Sequence, residues 1–421
     1  MTKRITFLHA ADLHLGASFK GLRSLSRSWS ERLVTAIPES YARLIDAAIA
    51  EQVDFVVIAG DVFDSSRASY ADYRCFFKGL DRLGAAGIPV YLCAGNHDPL
   101  VSWKREFFAL PEHVTMLPAG APGFALFERA GEPCALIGGR SFGTQAFPAN
   151  ESIASGITRA AAREALGVEA PFFIGVLHTG LDLDPDTAPA SPRSLAAAGA
   201  DYWALGHIHT PRTFPEERPR LAYPGSIQGL DINETGERGA WKVTLSEGAP
   251  PALEFVPTAS VAWQRFSVDV EDCASVAGVG EKVMRALSHQ SAGLRCEELV
   301  ARIELVGRTP LHRAFSVPGV LEDLRAQVND AYALFFCDAL IDRTAEPLDR
   351  AALRAEGLFP AVLMQVAAAQ RGNTEGTVAY LQEEFLARGL SLPTAVANEA
   401  EGLIGEAESL ALELLGGGDA R

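Results

Sequence analysis

Five short motifs hold the side chains of this chain that could do chemistry. They are Asp12-Leu13-His14, Gly60-Asp61-Val62-Phe63-Asp64, Gly95-Asn96-His97-Asp98, His178 and Gly206-His207-Ile208-His209. Together they offer carboxylates, imidazoles and one carboxamide, all hard or borderline ligands for divalent cations. Five of the nine histidines of the chain fall inside them, which random placement would not produce. Singly, a D-x-H, a G-H-x-H or a lone histidine is commonplace. Five such elements, each directly after an apolar run, fit a two-metal centre that hydrolyses a phosphate ester. In an extended segment residues i and i+2 point the same way. Asp12 with His14, and His207 with His209, are therefore expected to present their side chains from extended backbone. Gly60 permits a sharp turn that leaves Asp61 at a sheet edge with one oxygen for each ion.

The elements behind these motifs follow from hydrophobic pattern. Residues 5–10, 54–59 and 88–93 read as buried strands delivering Asp12, Asp61 and Asn96. Between them, Tyr41, Leu44, Ile45, Ala48 and Ile49 recur at helical spacing, as do Phe76, Phe77, Leu80 and Leu83 up to Gly84. Strand–helix–strand of this length implies parallel pairing with right-handed crossovers. Residues 114–140 carry shorter strands (125–127, 134–137) in hairpins, and 155–166 reads as a helix. Residues 172–177 and 202–205 are buried strands ending at His178 and His207, and 221–223 and 240–245 are further strands. Polar residues at C-terminal strand ends are where open α/β sheets keep their active sites. After Pro257 the pattern changes to strand 263–270, helix 279–288, strand 299–305, helix 321–328 and strand 332–341. From Pro347 it is helical, ending at Gly416-Gly417-Gly418. There Leu403, Ile404, Ala407, Leu410, Leu414 and Leu415 form an apolar stripe, with Glu406, Glu408 and Glu413 off it. Three domains are expected: 1–258, 262–345 and 346–421.

The 421 residues are 48% hydrophobic and carry a formal net charge of −16. No apolar run approaches the ~18 residues of a membrane span, and residues 5–10 read as a strand, not a secretory segment. The six cysteines lack a C-x-x-C pair, so a zinc ribbon is not expected, and reduced thiols point to the cytoplasm. An acidic chain argues against nucleic acid, but screening confines charge to about 8 Å at physiological salt. Two divalent ions outweigh two carboxylates and a hydroxide held between them, so the centre itself can attract a phosphodiester. The ligand mix favours Mn, Fe or Zn over Mg.

The motif order D-x-H-x-G, G-D-x-F-D, G-N-H-D, H, G-H-x-H over about the first 210 residues resembles the calcineurin-like metallophosphoesterases, most closely their DNA-repair nuclease branch of the SbcD type. Pro224-Gly225-Ser226-Ile227-Gln228-Gly229 followed by Glu234-Thr235-Gly236 is similar to the YhaO-type exonucleases, although Leu230-Asp231 stands where Arg-His is common. The resemblance implies an α/β fold: a four-layer αββα sandwich with a small α+β capping domain and a helical C-terminal tail. It assigns Asp12, His14 and His209 to one ion, Asn96, His178 and His207 to the other, and Asp61 to both, with Mn²⁺ as the metal. His97 would stabilise the transition state or protonate the leaving group, oriented by Asp98 or Asp64. The activity implied is exonucleolytic hydrolysis of double-stranded DNA ends in double-strand-break repair. Arg67, Lys104, Arg105 and Arg140 are candidate DNA contacts on the loops beside the metals. The tail would dock on an SbcC-like coiled-coil ATPase, and a homodimer is compatible with this picture. Two rival readings use the same scaffold: a small-molecule phosphodiesterase, and a non-catalytic regulator of the ATPase.

Overall fold

The computed structural model describes residues 3–19, 27–64, 67–184, 186–218, 220–296, 298–331, 333–355 and 359–415. The triple glycine at 416–418 and Tyr332 lie outside them. With labels in chain order, the first sheet centres on three parallel neighbours, β1 (Arg4–Ala10), β2 (Phe55–Ala59) and β3 (Val90–Cys93). β4 (Val114–Met116) continues it in parallel. β11 (Gly239–Ser246) and β12 (Ala252–Pro257) extend the other side antiparallel, in the order β12-β11-β1-β2-β3-β4. The second sheet has the order β5-β6-β7-β8-β10-β9. Its strands are β5 (Gly123–Arg129), β6 (Glu132–Gly139), β7 (Phe172–His178), β8 (Tyr202–Gly206), β9 (Arg212–Phe214) and β10 (Leu221–Tyr223). β6, β7, β8 and β10 run parallel, and the edge strands β5 and β9 run antiparallel.

Period-two alternation sorts the side chains into layers. Phe7, Phe55, Val57, Phe172, Ile174, Val176, Tyr202 and Ala204 fill the space between the two sheets. The opposite faces, Leu8, Val56 and Ile58 on one sheet and Phe173, Leu177, Trp203 and Leu205 on the other, build the two outer cores. Helices α1 (Arg27–Ala50) and α2 (Tyr70–Ala85) cover the first sheet, and α3 (Arg159–Leu166) and α4 (Pro192–Ala197) the second. The architecture is the four-layer αββα sandwich that the resemblance implied.

Local chemistry explains where the helices begin. A capping box between Ser69 and Asp72 starts α2. α1 begins well before Tyr41 and carries Pro38 inside it. α3 is shorter than the expected 155–166: Ser155 and Ile157 donate to Ser152 and Ala154 carbonyls in turns, and the Thr158 hydroxyl then caps the helix at the Ala161 N–H.

The α+β region has a sheet β13-β14-β15 of Val261–Asp269, Glu298–Val306 and Phe335–Asp342. Helices α5 (Val276–Ala292) and α7 (Val320–Ala331) pack with it, and α6 (His312–Phe315) lies between them in sequence. Trp29, Leu33 and Ala36 of α1 share a core with Val261, Trp263, Val300 and Phe336. Packing divides the chain into two compact units. One is Met1–Asp269 with Ser275–Leu305 and Val317–Arg343; the other is Val270–Ala274, Val306–Ser316 and Thr344–Arg421.

The second unit contains α8 (Arg350–Ala355), α9 (Phe359–Arg371), α10 (Thr374–Ala387), α11 (Thr394–Asn398) and α12 (Ala400–Leu415). Here the expected apolar stripe is largely exposed, and the unexpected feature is a buried glutamate. α12 buries Ala400, Glu408 and Leu412 and leaves Leu403, Leu410, Leu414 and Leu415 exposed. Glu408 is drawn inward because Arg350 and Arg371 reach it at 3.2 and 2.6 Å.

Candidate metal centre

Strands from both sheets end at one place. β1, β2 and β3 deliver Asp12, Asp61 and Asn96 from the first sheet; β7 and β8 deliver His178, His207 and His209 from the second. Neighbouring loops brace one another. The Asp12, His14 and Leu15 N–H groups donate to the Gly60, Asp61 and Val62 carbonyls at 2.9–3.1 Å. Neither D-x-H nor G-H-x-H is extended, contrary to expectation. Following a neighbouring loop forces Asp12 (φ 51°), His14 (φ 47°) and Asp61 (φ 51°) into the left-handed region, and His207 has φ 106°. Among the described residues eight non-glycine residues have positive φ, and half of them are these four. Strain of this kind persists only where the surroundings over-determine it, and it concentrates at functional sites.

Two glycines make room. Gly60 has φ +89°, and a Cβ there would strike the His178 ring; a Cβ on Gly95 would strike the Asp61 carboxylate. Side chains then converge with their donor atoms together. His14 Nε2 lies 3.0 Å from His209 Nε2, and His209 Nε2 lies 4.0 Å from Asp12 Oδ1. Asp61 Oδ2 lies 3.3 Å from His178 Nε2 and 3.8 Å from His14 Nε2. The Asn96 amide oxygen is 3.0 Å from His178 Nε2. Two ligand groups emerge, Asp12–His14–His209 and Asp12–Asp61–His178. The two groups share Asp12; Asp61 Oδ2 also faces His14 of the first group at 3.8 Å, and its Oδ1 accepts the His97 N–H at 2.9 Å.

A pair of imidazole nitrogens 3.0 Å apart beside buried carboxylates suits cations, since the lone pairs point into a shared space. Three ring nitrogens have partners of their own. His178 Nδ1 meets the Ala59 carbonyl at 2.9 Å, His209 Nδ1 meets Glu234 at 2.7 Å, and His207 Nε2 meets Asp184 at 2.8 Å. For His207 this leaves Nδ1 as the nitrogen that can turn to an ion. The His207 N–H also donates to both Asp12 oxygens at 3.1 Å. Burial opposes charge throughout, yet His178, His14 and His97 around Asp61 hold its carboxyl well below the usual range. Asp61 in turn lifts His178, against burial, to about 9. Burial lowers His14 to about 3.

His97 is exposed, its ring edge-on to His14 at 5.1 Å, and Asp64 is half-buried. Asp98 is wholly buried. Its oxygens accept the Gly95, Val62 and Phe63 N–H groups at 2.7, 2.9 and 3.4 Å, clasping the β2 and β3 exits together. Of the cations, Arg67 and Arg105 are exposed. Lys104 sends its ammonium to the Ala68 carbonyl at 2.6 Å. Arg140, expected on the rim, is instead buried, donating to the Ser155 carbonyl at 3.4 Å and lying over Phe147. Sequence reasoning missed Asp184 and the role of Glu234, because partners of ligands obey no spacing rule.

Residues 5–211 match the family model described as calcineurin-like phosphoesterase, and 263–345 match the model described as metallophosphoesterase YhaO, middle domain. The chain is 34% identical over 292 residues to the uncharacterized metallophosphoesterase YhaO of Bacillus subtilis, covering 67% of each protein. It is 29% identical over 276 residues to the DNA double-strand break repair protein Mre11 of Aeropyrum pernix, covering 64% of each. It is 26% identical over 294 residues to a subunit of the nuclease SbcCD of Bacillus subtilis, covering 58% of this chain and 70% of that one. The chain thus spans about two thirds of the relatives' lengths. With the two ligand groups in place at these strand ends, the chain belongs to the calcineurin-like metallophosphoesterase family.

Proposed function

We propose that this phosphoesterase is a Mn²⁺-dependent exonuclease acting on double-stranded DNA ends in double-strand-break repair. The convergence of hard and borderline ligands from five strand ends carries the hydrolytic part of this reading. The relatives named as nuclease and repair proteins support the DNA part. In this reading Asp12, His14 and His209 hold one ion and Asn96, His178 and His207 the other, with Asp61 serving both. A pair of divalent ions supplies a nucleophile at neutral pH and neutralises the phosphate. The residues do the rest. His97, exposed and beside His14, protonates the departing sugar oxygen, and Asp64 tunes it. Asp98 acts further back, fixing the loops that carry Asp61 and His97. Arg67 and Arg105 take backbone phosphates, while Lys104 and Arg140 shape the loops behind them. Residues 262–345 serve as the capping domain and 346–421 as the docking site for an SbcC-like ATPase in the cytoplasm. A homodimer fits the same scheme.

The deciding assay is linear duplex DNA, end-labelled on either strand, incubated with Mn²⁺ and the full chain. Digestion from the 3′ end is expected. Asp61→Ala should lower the rate at least ~100-fold, and His97→Ala should lose turnover while still binding both ions by calorimetry. Cleavage of an aryl phosphodiester with DNA left intact, with and without the ATPase, would favour the small-molecule reading and sink this one.

A further inference from the structure

The two carboxylates behind the ligand histidines have very different settings. Glu234 is mostly buried, and its Oε1 lies 2.7 Å from His209 Nδ1. Its Oε2 accepts the Leu230 N–H at 3.0 Å and the Ser226 hydroxyl at 3.3 Å. Arg238, only 2% exposed, braces the same loop. Its guanidinium donates to the Glu234 carbonyl (3.3 Å), the Thr235 carbonyl (2.9 Å) and the His209 carbonyl. The histidine and its carboxylate are thus tied by one buried cation.

Asp184 is held nearer the solvent, by the Asp186 N–H and the Thr187 hydroxyl. It is 39% exposed in the loop after β7, and the oxygen that meets His207 also accepts the Thr187 hydroxyl at 2.9 Å. A carboxylate on the far nitrogen of a histidine fixes its tautomer and raises its basicity toward a metal, and losing it costs about 10–100-fold in affinity. The benefit scales with how firmly that carboxylate is itself held.

We infer that Glu234, braced by Arg238, and Asp184 are positioning residues for His209 and His207, and that they make the two ion positions unequal. The position served by Asp12, His14 and His209 is the firm one; that served by Asn96, His178 and His207 exchanges readily. This rests on the two-metal reading above. The test is calorimetric titration of the metal-free full chain with MnCl₂, alongside its melting temperature. Wild type should bind two Mn²⁺ with distinct affinities. Glu234→Gln should weaken the tighter ion by about 10–100-fold and leave the other unchanged; Asp184→Asn should do the reverse. In a cycle with His14→Ala, Glu234→Gln should add little further loss, because both act on one ion. Equal affinities in wild type, or two variants that weaken the same ion, both ions equally or neither, overturn the inference. Absence of Mn²⁺ binding by the wild type overturns the two-metal reading itself, before any variant is compared. Asp184→Asn, on an exposed loop, keeps the test alive if Glu234→Gln lowers the metal-free melting temperature.

Discussion

His9 shows how burial governs a single group. It sits between the sheets, its Nδ1 2.9 Å from the Tyr202 hydroxyl, and burial lowers its pKa to about 3. The unfolded chain binds this proton below about 6.5, whereas the folded chain refuses it until about 3. Between those values the unfolded state holds more protons, so stability falls as pH falls, by up to about 1.4 kcal/mol per unit. Urea melts at pH 7 and pH 5 should show that His9→Gln declines less with acidification than wild type does. At this scale the ligand types were legible, because a metal needs donors that short motifs reveal. The work of Asp98 was not. A carboxylate beside a histidine reads as chemistry, yet this one is satisfied by three backbone N–H groups.

Strands and turns decide how those residues meet. The continuous apolar runs before Asp12, Asp61, Asn96, His178 and His207 were legible as buried strands, and all five are strands whose ends carry the site. β9, β12 and α4 escaped notice; β9 and α4 are too short for periodicity to register, and β12 is an edge strand with mixed polarity. Backbone conformation escaped too, since residue types alone do not announce that Asp12 and His14 turn left-handed. Glycine placement can be tested. At Gly60 a methyl group meets the His178 ring and φ is +89°, so Gly60→Ala should lose Mn²⁺ binding and ~1–3 kcal/mol of stability. At Gly175, in the middle of β7, a Cβ would overlap the Trp203 ring instead. Gly175→Ala should cost ~1–3 kcal/mol by thermal melting while both ions still bind.

At the level of the whole molecule, the net charge of −16 means that the proposed nuclease activity needs the site, not the surface as a whole, to draw in a phosphodiester. In the second unit, Phe359, Val362 and Val366 stand exposed on one face of α9, at i, i+3 and i+7. That is the geometry of a helix laid into a partner's groove. Val362→Glu combined with Val366→Glu should leave the melting temperature and Mn²⁺-dependent hydrolysis nearly unchanged, as exposed substitutions do. The pair should abolish co-purification with an SbcC-like ATPase. Among the described residues no helix is long and apolar enough to cross a membrane.

The placement of the ligands has a mechanical corollary. Asp12, Asp61 and Asn96 hang from one sheet, His178, His207 and His209 from the other. Each divalent ion would therefore rivet the halves of the sandwich across their seam, and only the native fold presents both halves at once. Chelation with EDTA should lower the melting temperature, and adding back ions at a hundred times their dissociation constant should restore about 2.7 kcal/mol per site. A cell starved of such ions would forfeit durability together with turnover.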